Sequence, residues 1–344
     1  MITKSFASDN VSGAHPKVIE AVIAANEGHA KPYGYDKYTE KADRKFEEHF
    51  GKGIEVHYVF NGTAANVIGL AGITPSHSSI ICSDVGHITE DECAAPERFI
   101  GCKLQTVKTT DGKITVEGIK KFVIRIGDHH YAQPRVISLT QPTEYGTIYR
   151  PEEIKEISDY AHKHNMYLHL DGARLANACA SLGLSLRELS TDVGVDVLSF
   201  GGTKNGIMFG DAIVFFKKEY AKDFMYIRKQ GMQLASKMRF ISCQFEALLT
   251  DDLWLKNAMH SNKMARLLEK ELKQIPEIRI TQRVEANAIF AILPKEKIKE
   301  IQNKYSFNVW DENASECRFM TSFDTTEEDV YDFVRVIKEL MKKS

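Results

Sequence analysis

A carboxylate and a lysine close two apolar runs. Met166-Tyr167-Leu168-His169-Leu170 ends on Asp171-Gly172-Ala173-Arg174, and Val195-Asp196-Val197-Leu198-Ser199-Phe200 ends on Gly201-Gly202-Thr203-Lys204-Asn205-Gly206. Both runs are short, rich in branched residues and bounded by glycine, which predicts buried strands of a parallel sheet. Ligands of open α/β sheets bind outside the carboxyl ends of such strands. The 33-residue separation of Asp171 and Lys204 leaves room for a strand, a crossover helix and the next strand. A lysine amine can form a Schiff base with an aldehyde, and a carboxylate can hold a proton on a pyridine nitrogen. Together they are what pyridoxal 5'-phosphate chemistry needs. Singly, such an aspartate is a turn residue or cap and such a lysine a solvated surface group. The pair is more specific because small residues surround Lys204 and let a bulky ligand approach the backbone.

Other residues could complete a site. A strand predicted over 56–60 turns through Asn61-Gly62-Thr63 into a helix reaching 73. Free N–H groups and the positive end of the helix dipole favour an anion there, and Thr63 can add a hydroxyl. The alternative is an ordinary N-cap by Asn61 or Thr63. No Walker loop and no G-x-G-x-x-G is present. His87 follows a short strand at 79–82, where an imidazole can face a pocket or act as a cap, and a helix is expected to begin at Glu90-Asp91-Glu92. The strand at 136–139, preceded by His129-His130, ends in the polar loop 140–146. His162, His164 and His169 look like metal ligands by spacing. The first two close a helix and the third lies in a strand, so no metal is expected.

These residues need a frame. At 344 residues, with 43% hydrophobic and 27% charged residues, the chain predicts a soluble globular protein with one large and one small domain. A net charge of −2 gives no nucleic-acid footprint. Six scattered cysteines without a C-x-x-C fit reduced thiols in a cytoplasmic protein. The opening Met1-Ile2-Thr3-Lys4 lacks the apolar core of a signal peptide, and no run is long enough to span a membrane. The expected class is α/β, with a mostly parallel sheet flanked by helices and a small C-terminal α+β domain. The expected divisions are an N-terminal segment 1–15, a large domain 16–250 and a small domain 251–344. Helices are expected over 220–237, 241–249 and 254–272.

The set Asn61-Gly62-Thr63, Gly86-His87, His169-Leu170-Asp171-Gly172-Ala173-Arg174 and Thr203-Lys204 resembles the low-specificity L-threonine aldolases. These are fold-type-I, pyridoxal-phosphate-dependent members of the β-eliminating lyase superfamily. The resemblance runs from Ser8-Asp9 to Arg318-Phe319-Met320-Thr321. It implies cleavage of L-3-hydroxy-2-amino acids, such as L-threonine and L-allo-threonine, to glycine and an aldehyde. It also implies a homodimer or homotetramer with shared active sites. Lys204 would carry the cofactor, Asp171 would face its ring nitrogen, and His87 would stack on the ring. Gly62, Thr63 and Thr203 would hold the cofactor. Ser8, Arg174 and Arg318 would bind the substrate carboxylate. His130 would stand near the substrate hydroxyl, so either His87 or His130 could assist proton transfer. Tyr33 would line the site from a neighbouring subunit. The family pattern is broken in places: Lys237 stands where an arginine usually reaches the neighbour's phosphate, and Gln141-Pro142-Thr143-Glu144 replaces a Glu-Asn-Thr-His motif. The rival readings are another pyridoxal-phosphate lyase or aminotransferase, and a non-catalytic binding protein of the same fold.

Overall fold

The computed structural model describes residues 4–342. Seven strands form the main sheet: β1 (Glu55–Val59), β2 (Ser78–Ser83), β3 (Lys103–Val107), β4 (Gln133–Thr140), β5 (Tyr167–Gly172), β6 (Val197–Gly201) and β7 (Asp211–Phe215). Their order is β1-β7-β6-β5-β4-β2-β3. Strands from β6 to β3 pair in parallel, while β7 lies antiparallel to both β6 and β1. The carboxyl ends of β1, β2, β4, β5 and β6 therefore share one edge with the start of β7. The loops that carry Gly62, Thr63, His87, Asp171, Thr203 and Lys204 leave that edge; Lys237 does not.

The two apolar runs become β5 and β6, paired with Asp171 opposite Ser199. Leu168, Leu170, Leu198 and Phe200 are fully buried, each contributing roughly 1.5–3 kcal/mol by leaving water. Helices cover both faces. Pro16–Ala25, Lys37–Phe50 and Arg239–Leu249 pack on one side and Gly62–Ala71 on the other.

The smaller sheet is antiparallel, with β8 (Arg279–Ile280), β9 (Ala288–Ile292), β10 (Asn308–Asp311) and β11 (Glu316–Met320) in the order β10-β11-β9-β8. Phe6 joins its core, stacked on Phe333 at 4.4 Å, so the N-terminal segment is tied to the small domain. The helix Leu253–Leu272 crosses between the cores. Trp254 and Ala258 pack under the main sheet, whereas Met264, Leu268 and Leu272 pack in the small domain. The change of core thus falls inside this helix rather than at residue 250.

Two helix expectations change. Instead of one helix from Glu90, the chain forms His87–Glu90 and Ala95–Ile100, broken where Cys93 (φ 50°) and Ala94 (φ 58°) are left-handed. Within 220–237 the α-helix is only Phe224–Gln230, preceded by a short 3₁₀ turn. It ends at Gly231, packed against Ile68, and left-handed Met232.

Candidate active site

The turns after β5 and β6 press together. A Cβ added to Gly201 would lie 2.3 Å from the Ala173 carbonyl oxygen, so only glycine lets the backbone before Lys204 approach the Asp171 turn. The Lys204 turn is pinned by side chains. Thr203 Oγ1 donates to the Gly210 carbonyl (3.1 Å), Asn205 Nδ2 to the Trp254 carbonyl (3.0 Å), and Asn257 Nδ2 to the Asn205 carbonyl (2.8 Å). The positive charge of Arg174, followed by burial, lowers the Lys204 pKa against the opposing pull of Asp9, Glu144 and Asp171. That balance favours the neutral amine, the form that attacks a carbonyl.

Asp171 is buried, with Oδ1 accepting from Ala173 N (3.0 Å) and Oδ2 from Asn66 Nδ2 (2.8 Å). At the cup, Asn61 is the N-cap: its side chain accepts from Ala64 N at 2.9 Å. The Gly62 and Thr63 N–H groups at the helix start are not used by that cap, and both residues line the cavity with His87, Thr203 and Lys204. Asp211 lines it too and accepts from Gly202 N at 3.0 Å. Burial raises its pKa to about 7.

The outer rim is built from charge. Arg174 grips Asp9 with two donors, Nε to Oδ2 (2.7 Å) and Nη2 to Oδ1 (2.9 Å). Asn287 Nδ2 also donates to Asp9 Oδ2 at 3.0 Å. Burial works against the Asp9 charge, but Arg174 outweighs it and lowers the pKa. Ser8 caps the short turn that follows it, accepting from Asn10 N at 3.1 Å. The guanidinium of Arg318 lies 5.0 Å over the Trp310 ring, and its buried Nε has no partner among the described residues. Burial and then repulsion from Arg174 lower its pKa. Two guanidinium groups held close, one with an orphan donor, make a site that an anion would complete.

Sequence reasoning missed Glu144. Its carboxylate makes no hydrogen bond among the described residues. Burial raises its pKa first and Asp171 second, opposed by His87, Lys204 and Arg174. The signal was its position after β4, at the same edge as Asp171. Asn66, Glu92 and Asp211 were also missed, because each is brought in by a neighbouring strand or helix.

Three expected residues lie apart from this cluster. His130 precedes β4 and so belongs to the opposite edge of the sheet. It is exposed on a loop with Asp128 and His129, whose possible ligand atoms lie within 4.8 Å of one another. Tyr33 is 42% exposed, and its N–H donates to the Ser236 carbonyl at 2.9 Å. Lys237 is exposed beside it. These two form a surface outside the chain's own cavity.

The donor set fits pyridoxal 5'-phosphate. The amine of Lys204, the imidazole of His87, the carboxylate of Asp211 and a helix N-terminus line one cavity, and buried Asp171 ends the adjoining strand at the same sheet edge. The model for the beta-eliminating lyase family matches residues 5–296. A low-specificity L-threonine aldolase of Pseudomonas aeruginosa is 45% identical, covering 98% of each chain. Its counterpart from a Pseudomonas species is 42% identical over the same shares. The solved threonine aldolase of Leishmania major superposes with a TM-score of 0.92 at 31% identity, covering 98% of this chain and 99% of that one.

Proposed function

Because the chain belongs to the beta-eliminating lyase family and, within it, to the low-specificity L-threonine aldolases, we propose that it cleaves L-threonine, L-allo-threonine and related L-3-hydroxy-2-amino acids to glycine and an aldehyde, using pyridoxal 5'-phosphate. The observation that carries this reading is Lys204 with a lowered pKa at the same sheet edge as buried Asp171. The bound cofactor supplies a carbonyl carbon for amine exchange and a ring that accepts the electron pair left when Cα–Cβ breaks.

The chain's own residues do the rest. Lys204 Nζ is the covalent anchor and yields to the substrate amine. Asp171 would hold a proton on the ring nitrogen of the bound cofactor, and its hydrogen bonds to Asn66 and Ala173 hold the carboxylate in place. Gly62, Thr63 and Thr203 receive the phosphate at the helix start. Arg318 and the free edge of Arg174 bind the substrate carboxylate, with Ser8 beside Asp9 shaping that end of the site. Glu144, rather than His130, accepts the β-hydroxyl proton. Burial, then Asp171, raises the Glu144 pKa and makes it a stronger base than an ordinary carboxylate, and proton return to Cα completes glycine. His87, which lines the cavity, would lie against the bound cofactor.

The working form is a homodimer or homotetramer in the cytoplasm, with Tyr33 and Lys237 facing a neighbouring site. Exposed Tyr35, Met208, Phe209 and Met232 support an interface, and Gln233 ties its segment to the cup by accepting from Phe60 N at 3.0 Å. Among the described residues no helix is long and apolar enough to cross a membrane. The test is aldehyde and glycine release from L-threonine and L-allo-threonine without an added 2-oxo acid. Equimolar products are expected. Turnover only with a 2-oxo acid would make the protein an aminotransferase instead.

A further inference from the structure

Behind the cavity runs a buried chain of hydrogen bonds of which the reaction as described uses only the link from Asn66 to Asp171. His87 Nδ1 lies 2.9 Å from Glu92 Oε1, and Asn66 Nδ2 donates to that same oxygen at 2.9 Å. Asn66 Nδ2 also donates to Asp171 Oδ2 at 2.8 Å. We infer that Glu92 and Asn66 are positioning residues that yoke His87 to Asp171 and fix a proton on His87 Nδ1, leaving Nε2 turned toward the cavity.

Atom by atom, the roles follow from donor and acceptor capacity. An Asn side chain between two carboxylate oxygens must present its amide nitrogen, because only that end donates. Both amide protons are then spent, one on each carboxylate. Glu92 Oε1 already accepts from Asn66, so it meets His87 as an acceptor too, and Nδ1 carries the hydrogen. This is the arrangement by which a carboxylate selects an imidazole tautomer.

The backbone gives a second, independent observation. Glu92 sits at the break between two short helices, directly before left-handed Cys93 and Ala94. Residues with a Cβ seldom adopt that conformation, and strain of this kind collects at functional sites. An acidic residue opening a continuous helix would face water; here the side chain of Glu92 is fully buried. Nor is the cluster arranged for stability alone, since Glu92 Oε2 and Asn66 Oδ1 are buried without partners.

The carboxylates around His87 push one way, while Lys204 shares its cavity. The hydrogen bond from Glu92 raises its pKa first, against burial, and Asp171 at the end of β5 and Glu144 in the loop after β4 add to the rise. Burial also raises the pKa of Glu92. A movement of Glu92 would reach both the imidazole and, through Asn66, the carboxylate of Asp171.

This inference rests on the proposed cofactor site for its meaning, but its first test does not. In the purified protein, histidines labelled with ¹³C and ¹⁵N would be titrated by NMR, and His87→Gln would assign its signal among the 12 histidines. The neutral His87 should carry its hydrogen on Nδ1; a hydrogen on Nε2 with bare Nδ1 overturns the proposal, whatever the enzyme's activity. In Glu92→Gln the His87 pKa should fall by about one unit, and Glu92→Asp should restore much of it. An unchanged pKa in Glu92→Gln also overturns the proposal. If Glu92→Gln does not fold, the tautomer of the parent protein decides alone.

Discussion

The floor and the rim of the cavity are built on different principles. The floor joins Asp171, Asn66, Glu92 and His87 through hydrogen bonds of 2.8–2.9 Å, on rigid elements and ready before any ligand arrives. The rim sets Arg174, Arg318 and Glu144 near one another from three distant segments. Arg318 repels Arg174, and among the described residues it keeps an orphan donor and Glu144 has no hydrogen-bond partner. The difference teaches that the groups proposed to hold a resident cofactor are linked to one another before it binds, even though Glu92 Oε2 and Asn66 Oδ1 stay unpaired among the described residues. Groups meant for a passing substrate are left with unmet charge, a balance the ligand completes.

The largest effect is expected at the junction of the two regions. Lys204→Ala should lose the absorbance of lysine-bound cofactor, and turnover should fall by several powers of ten; absorbance and aldehyde release check both. The floor can then be broken without breaking the rim. Asp171→Asn should fold and retain cofactor while kcat falls by several powers of ten. Comparable kcat in the variant and the parent would make Asp171 a turn residue.

Breaking the rim should cost less activity and separate its two arginines. Loss of one charge-assisted pair costs on the order of 1.5–3 kcal/mol, or roughly tenfold to a hundredfold in kcat/KM. Both Arg174→Leu and Arg318→Leu should show this, but their stabilities should differ. Arg174→Leu strands the buried Asp9 carboxylate and should lose roughly 3 kcal/mol by urea unfolding. Arg318→Leu removes a repelled cation and should unfold close to the parent. Because Arg174 is the largest cause of the lowered Lys204 pKa, Arg174→Leu should also move deprotonation of Lys204 to higher pH. Equal stabilities of the two variants would end the distinction between a paired and a waiting arginine. Glu144→Gln should act on a different parameter, lowering kcat by about a hundredfold or more while leaving cofactor binding intact, as rapid kinetics and absorbance would show.

The smallest effect lies outside both regions and serves as a control. Burial raises the pKa of Asp43, which accepts from Tyr58 Oη at 2.8 Å, from 3.8 to about 6. The folded protein therefore holds this proton more tightly than the unfolded chain. The stability it contributes is complete below about pH 4 and lost as pH rises through about 6. Asp43→Asn should reduce this pH dependence, with a gain of about 1 kcal/mol at pH 7.5, measured by urea unfolding at pH 5 and 7.5. An identical pH dependence in the parent would show that Asp43 is not its source.

How much could be read in advance follows the same division. The Asp171 and Lys204 turns were legible because each closes a branched apolar run, and glycines beside them mark the close approach seen at Gly201. The rim was legible only where a motif named a residue. Glu144 lies in a loop whose local sequence says nothing of Arg174 or Lys204, and strand order alone brings them together. His130 lies apart from the chain's own cavity for the converse reason. It is near β4 in sequence, but it precedes the strand, and the direction of β4 sends it to the far edge. Glu92 was hidden by a helix expectation that left-handed Cys93 and Ala94 overturn, since side-chain pattern alone did not reveal that break.

The central claim is that one lysine, Lys204, joins floor to rim. Borohydride reduction of the cofactor-loaded protein, followed by digestion and mass spectrometry, tests it most directly. The account predicts a single stoichiometric pyridoxyl adduct on Lys204, absent when L-threonine and its products are captured before reduction. An adduct of equal yield on another lysine, or persisting in Lys204→Ala, would contradict it.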